Sequence, residues 1–179
     1  MQDSRPDPGR YTGLALPAYR FRRGTNPHPS ASPEGHGNRY IPEPDAAATA
    51  PERWRENRTY LYGCDLYNHG YWWEAHEAWE DLWHLTGHSG TQAAYFKGLI
   101  QAAACALKVE LGNLAGACTL IARSEAYLQR VTDEVDGPVY MGLDIPGWLD
   151  YLRTYYDAPL EERTAGHDPG AFPYIVLRH

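Results

Sequence analysis

The stretch W-W-E-A-H-E-A-W-E-D-L-W, from Trp72 to Trp83, decides the fold because its hydrophobic spacing is helical. At about 100° per residue, one arc of roughly 100° collects three tryptophans, a histidine and an acid: Trp72, Trp79, Trp83, His76 and Glu80. The opposite side of the same helix is charged and carries Glu74, Glu77, Asp81 and His84. The pattern predicts an amphipathic helix that buries its tryptophan-rich face together with His76 and Glu80.

Burying an imidazole and a carboxylate requires a partner for each, because an unpaired ionisable group in the interior costs several kcal/mol. In the simpler interpretation, His76 and Glu80 are a structural pair, four residues apart, that satisfies itself within the core. In the functional interpretation they belong to a binding or catalytic site. The helix therefore locates a candidate site, and the sequence leaves both interpretations open.

The segments that follow residue 51 also have helical periodicity and are separated by glycine or proline. We expect five helices, over about residues 51–68, 72–87, 91–111, 114–131 and 146–157. In the third helix, small residues such as Gly98 and Ala102 allow close approach of neighbouring helices, so this helix should be central. An apolar tail at 172–177 is expected to dock on the others. The sequence predicts an all-α bundle over residues 51–179.

Residues 1–50 differ in composition from the rest of the chain. They contain 8 of the 14 prolines, so long helices are excluded there. Four aromatic residues give this segment apolar surface to bury: Tyr11, Tyr19, Phe21 and Tyr40. We expect an extended, Pro/Gly-rich N-terminal arm that packs on the bundle.

Charge and cysteine content exclude several classes of protein. A net charge of -7 with a pI near 5.6 argues against nucleic acid as a partner, which requires a basic surface. No run of roughly 18 apolar residues occurs, so no membrane span is expected. The three cysteines lack C-x-x-C spacing and are interpreted as buried thiols in a reducing compartment, which predicts a cytoplasmic protein.

The segment H-E-A-W-E resembles the zinc-protease helix H-E-x-x-H, in which the first and fifth residues bind the metal. His76 and Glu80 stand at those two positions. A mixed imidazole and carboxylate site suits Zn, Fe or Mn, with further ligands from elsewhere in the fold. His28, in N-P-H-P, and His36, in P-E-G-H-G, are candidate ligands if the arm folds over the bundle. Glu77 is expected to point away, on the charged face.

The third helix offers polar groups along one border of its apolar stripe. Lys97, Gln101 and Lys108 lie next to one another there and are expected to face Glu80 across the helix interface. A lysine close to Glu80 would keep that carboxylate charged without a metal. Alternatively, the lysines extend to solvent. In the functional interpretation, Lys97 and Gln101 bind an anionic or amide-bearing substrate and Trp83 forms a wall of its pocket.

Three motifs together resemble a known family. They are Tyr67–Trp83, the segment Lys97–Ala104 with its G-L-I-Q, and Gly112-Asn113. They are similar to the bacterial and archaeal family called domain of unknown function 309, whose signature H-x-x-x-E-x-x-W is met by His76, Glu80 and Trp83. The resemblance covers about residues 56–130, and the arm resembles that of the longer members. It implies a compact all-helical fold and a shared site around His76 and Glu80, without naming a reaction.

Two functional hypotheses follow from these observations. The first is a small cytoplasmic enzyme, a metal-dependent hydrolase of a small molecule. In it, His76 is a ligand or general base, Glu80 is a ligand or orients the imidazole, and the arm covers the site. The second is a non-catalytic helical module that binds a protein partner or forms a homodimer, with the His76 and Glu80 pair in a structural role.

Overall fold

The computed structural model describes residues 9–37, 41–45, 49–157 and 172–178. Its five α-helices are α1 (Arg58–Asn68), α2 (Trp72–Leu85), α3 (Gly90–Glu110), α4 (Leu114–Glu134) and α5 (Ile145–Asp157). A small antiparallel hairpin, β1 (Val139–Tyr140) and β2 (Leu143–Asp144), joins α4 to α5. The predicted all-α bundle of about five helices is confirmed.

The start of α1 differs from the sequence prediction. Pro51 begins only a single turn of 3-10 helix, Pro51–Arg53, and α1 itself begins at Arg58. The reason is the buried side chain of Asn57, whose Oδ1 accepts the backbone N–H of Tyr60 at 2.9 Å. This side-chain cap satisfies an otherwise unpaired helix N–H and fixes the helix start there.

The helices approach one another closely at two glycines. A Cβ on Gly63 of α1 would lie 2.3 Å from Nε1 of Trp79, and one on Gly98 of α3 would lie 2.6 Å from Cγ of Leu128. Ser124 of α4 also donates to the Gly98 carbonyl at 2.8 Å. Consequently α3 packs against both α2 and α4 and is the central helix, as its small residues predicted.

A buried aspartate fastens the described start of the arm to α1. The Asp65 carboxylate is fully buried. It accepts the backbone N–H groups of Tyr11 at 2.7 Å and Thr12 at 2.9 Å, and the Thr12 hydroxyl at 2.6 Å. Tyr62 adds a hydrogen bond from its hydroxyl to the Ala15 carbonyl at 2.6 Å. These contacts lay the arm across α1. Tyr40, which we also expected to be buried, lies outside the described residues.

The C-terminal tail docks as its apolar residues predicted. Asn68 of α1 holds the backbone of Ile175 by two hydrogen bonds, accepting its N–H at 2.8 Å and donating to its carbonyl at 2.9 Å. Phe172, Ile175 and Leu177 are buried, and Leu177 pairs with Leu143 in an isolated β-bridge. Between them, Val176 is exposed.

Within the part of the chain that the structure describes, no helix is both long and apolar enough to cross a bilayer.

Candidate functional site

The buried face of α2 overlaps the predicted tryptophan face only at Trp72 and Trp79. Its buried residues are Trp72, Glu74, Ala75, Ala78, Trp79 and Leu82. The side chains of His76 and Glu80 are 26% and 35% exposed, and Trp83 is only half-buried. The prediction that His76 and Glu80 are buried with the tryptophan face is therefore wrong, and the buried carboxylate of α2 is that of Glu74.

The arm explains why Glu74 is buried. Its Oε1 accepts the backbone N–H of Phe21 at 2.8 Å, and Nε2 of His36 lies 3.3 Å from the same oxygen. Burial raises the pKa of Glu74 above its ordinary value, although the contacts with Phe21 and His36 each lower it. Periodicity within α2 carries no information about partners 38 and 53 residues away in the chain. The sequence pattern that could have identified the buried face is the stripe of Ala75, Ala78 and Leu82, which lies beside Glu74.

A cluster of three potential metal ligands lies on the exposed side of α2. Nδ1 of His76 is 3.3 Å from Oε1 of Glu77 and 4.0 Å from Oε2 of Glu80. One ligand atom from each of the three residues lies within 4.8 Å of the others. The prediction that Glu77 points away is wrong, because at the helix surface its flexible side chain reaches the preceding imidazole. The cluster offers one nitrogen and two carboxylate oxygens, a donor set that suits divalent cations.

A cleft of about 530 Å³ lies beside this cluster, between the arm, α2 and α3. Ala104 and Leu107 of α3, with Leu111 directly after that helix, form its apolar floor, and His76 is on its lining. His76 is thus shared between the cleft and the potential metal ligands.

Three rings form the aromatic side of the cleft. The ring of Phe21 is 5.2 Å from that of Trp73, and the ring of His28 is 5.5 Å from Trp73 and 5.0 Å from Phe21. Two of the rings belong to the arm and one to α2, so the cleft exists only while the arm lies on the bundle.

The polar lining of the cleft is mainly cationic. Arg22 forms an ion pair with Glu110. Among the described residues, Arg23 and Lys108 form no ion pair, and both line the cleft. Two positive charges with no ion-pair partner among the described residues lie around one apolar cavity, although the whole chain has a net charge of -7. They make the cleft suited to an anion.

The other predicted site residues lie at different places. Nζ of Lys97 is 3.8 Å from the centroid of the Trp83 ring, and neither residue is among those that line the cleft. Gln101 is half-buried, and its Oε1 has no hydrogen-bond partner in the described part of the protein. Lys97 forms no ion pair with Glu80, so the structure does not bring together the predicted pair of lysine and carboxylate.

The two arm histidines contact different parts of the site region. His28 lines the cleft together with His76, and its Nδ1 accepts the backbone N–H of Ala31 at 3.2 Å. His36 instead contacts Glu74, while its Nδ1 lies 2.8 Å from the Gly37 carbonyl. Neither histidine belongs to the three-residue ligand cluster found among the described residues.

Comparison with known proteins supports the family resemblance in the region of the site. Residues 60–120 match the model of the family described as Domain of unknown function (DUF309). The match includes α2 and α3 and therefore the three clustered ligands and the floor of the cleft, while the arm lies outside it. No curated protein and no solved structure matches the chain.

Proposed function

We propose that this protein is a metal-dependent hydrolase of small anionic molecules, with a divalent cation bound by His76, Glu77 and Glu80. The observation that carries the proposal is the position of His76, which belongs both to the ligand cluster and to the lining of the cleft. A cation held there would lie next to a molecule in the cleft.

The donor set and the exposure of the cluster favour a catalytic rather than a purely structural cation. One imidazole and two carboxylates suit Zn²⁺, Mn²⁺ or Fe²⁺. The three side chains are between 26% and 35% exposed, so the solvent side of the cation would remain open to water and substrate. A cation held by these residues would supply an activated water and polarise a carbonyl or phosphoryl oxygen.

The cleft indicates the class of substrate. Arg23 and Lys108 would bind an anionic group, a carboxylate or a phosphate, through charge-assisted hydrogen bonds. The floor of Ala104, Leu107 and Leu111 would contact an apolar body next to that group. The substrate expected from this lining is a small ester, amide or phosphoester that carries a negative charge beside an apolar portion.

The first test is the metal content of protein purified without a chelator or metal-affinity tag. We expect about one cation per chain that is lost in His76→Ala and in Glu77→Gln. The matched control is Glu125→Gln, which removes one helix carboxylate on α4, away from the cluster, and should retain the metal. An absence of bound metal after incubation with excess Zn²⁺ or Mn²⁺ would contradict the proposal.

The second test is hydrolysis of carboxylate- and phosphate-bearing esters by the metal-loaded protein. Lys108→Ala should raise KM about tenfold, the effect of losing one charge-assisted hydrogen bond, without loss of metal. The same rate of hydrolysis in wild type and His76→Ala would show that the cluster is not the site.

One observation favours the rival proposal of an interaction module. Tyr151 and Val176 are 54% and 60% exposed, and both line an apolar groove of about 330 Å³. A homodimer formed through this groove would cover them. Light scattering of wild type and Val176→Asp tests it, since only the wild type should then be dimeric.

The proposed compartment is the cytoplasm. The thiols of Cys64, Cys105 and Cys118 are all free, which fits a reducing environment. Failure of the protein to appear in the soluble cytoplasmic fraction of its cells would contradict this.

A further inference from the structure

Two further potential metal ligands, both histidines, lie where α2 ends. Nδ1 of His84 and Nε2 of His88 share a hydrogen bond at 2.8 Å, and both residues are exposed. Two imidazole nitrogens that bind one cation at about 2.0–2.1 Å in adjacent positions are separated by about 3 Å. The two nitrogens are therefore already near the spacing that a shared cation requires, with one side open to solvent.

The His88 ring is held in this position by its neighbours. It stacks on the Trp83 ring, with centroids 3.9 Å apart and planes inclined by 21°, and Trp83 in turn packs with the Lys97 ammonium. The turn after α2 is closed by a hydrogen bond from the Thr86 hydroxyl to the Trp83 carbonyl at 2.6 Å. The stacking restricts the His88 ring before a ligand binds, which lowers the entropy lost on binding.

The backbone of His88 has an unfavourable conformation that serves this arrangement. Its φ is 63°, in the left-handed region that is unfavourable for a non-glycine residue. Gly87, with φ 64°, precedes it. Two successive left-handed residues turn the chain back on α2, so that the His88 ring reaches His84 in the last turn of the helix.

We propose that His84 and His88 form a second metal site, a two-imidazole site selective for Cu²⁺, Ni²⁺ or Zn²⁺ over Mn²⁺. Imidazole nitrogen favours these ions, and the Irving–Williams order places Cu²⁺ first and Mn²⁺ last. The first cluster, with two carboxylates and one imidazole, differs in its donors. Eight residues separate His76 from His84, which corresponds to about 12 Å along a helix, so the two sites bind separate cations.

Calorimetric titration of the intact protein with Cu²⁺, and separately with Mn²⁺, tests this proposal. We expect a Cu²⁺ site that is weakened at least tenfold in His84→Ala and in His88→Ala and retained in His76→Ala. Both variants remove exposed side chains, and circular dichroism verifies that they are folded. Equal Cu²⁺ affinity in the wild type and these two variants would overturn the proposal, as would a loss of Cu²⁺ binding only in His76→Ala.

Trp83 fluorescence supplies an independent readout. Because His88 stacks on Trp83, Cu²⁺ at this site should quench that tryptophan, and Trp83→Phe should reduce the quenching amplitude. Unchanged quenching amplitude in His84→Ala would contradict the assigned location. Mn²⁺ binding that is lost in His76→Ala but retained in His84→Ala would separate the first site from the second, so either proposal can fail alone.

Discussion

Nε2 of His36 lies 3.3 Å from Oε1 of Glu74, a contact that joins the N-terminal arm to the buried face of α2. The same oxygen accepts the Phe21 N–H at 2.8 Å. These contacts place Phe21 and the neighbouring cationic residues of the arm against α2. The cleft next to His76 therefore depends on a buried carboxylate that does not itself line it.

Glu74→Gln should change the pH dependence of stability. Burial raises the pKa of Glu74 above its ordinary value of 4.5, so the folded protein binds this proton more tightly than the unfolded chain does. The free energy of unfolding should therefore fall as pH rises from about 4.5 through the folded-state pKa. Glutamine keeps an oxygen acceptor for Phe21 but does not titrate, so this decrease should be absent in the variant.

Urea denaturation of wild type and Glu74→Gln at several pH values between about 4.5 and 7.5 measures this effect. Glu125→Gln, a half-buried surface position on α4, serves as the control and should follow the wild type. If the free energy of unfolding depends on pH in the same way in the wild type and in Glu74→Gln, Glu74 does not contribute to that dependence.

Asp65→Ala should release the start of the arm. The substitution leaves the N–H groups of Tyr11 and Thr12 without their acceptor, at a cost of about 1–3 kcal/mol per buried group left unpaired. Limited proteolysis should then cut within the arm faster than in the wild type, and the melting temperature should fall. Asp150→Ala removes a side chain that is 78% exposed and should change neither quantity. Cleavage of the arm in Asp65→Ala at the same rate as in the wild type would contradict the anchoring role of Asp65.

Gly63→Ala should destabilise the contact between α1 and α2. The added methyl group would lie 2.3 Å from Nε1 of Trp79, and relief of such overpacking typically costs about 1–3 kcal/mol. Gly13→Ala is the control, because a Cβ at that position meets nothing within 4 Å. Thermal unfolding of both variants measures the effect, and Gly63→Ala should have the lower melting temperature. Equal melting temperatures would argue against close packing of Gly63 on Trp79.

Thiol reagents should distinguish the three cysteines. Burial raises the pKa of Cys105 to about 12 and that of Cys64 well above its ordinary range, so neither supplies reactive thiolate near pH 8. Cys118 is exposed. One thiol per native chain should react with an aromatic disulfide reagent, and three should react in denaturant. Cys118→Ser should abolish the native reaction, and rapid modification of more than one thiol would contradict the burial.

Much of the fold could be predicted from local patterns. The span of α2, the central position of α3 and the docking of the C-terminal tail follow from apolar spacing, small residues and helix-breaking glycines, which act over a few neighbouring positions. The start of α1 could not be predicted from the sequence, because both Pro51 and Asn57 are residues that commonly begin a helix. Only the structure shows that Asn57 caps α1.

The candidate site was predicted only in part. His76 and Glu80 were recognised from their spacing of four, and the structure places them in one cluster. Glu77 was missed because a helical-wheel projection assigns it to another face and ignores the reach of its side chain. Lys97 was the cation predicted to bind the substrate, and no arm residue was given that role. The structure instead places Arg23 of the arm and Lys108 in the lining of the cleft.

The sequence by itself determined the helices, the small residues that let them approach and the chemical groups available on α2. Only the tertiary structure decided which side of α2 is buried. Glu74 lies inside because the arm, far away in the chain, supplies its hydrogen-bond partners, and His76 consequently lies at the surface beside a cleft. Helical periodicity is a local property, whereas the cost of burying a charge depends on groups that only folding brings to it.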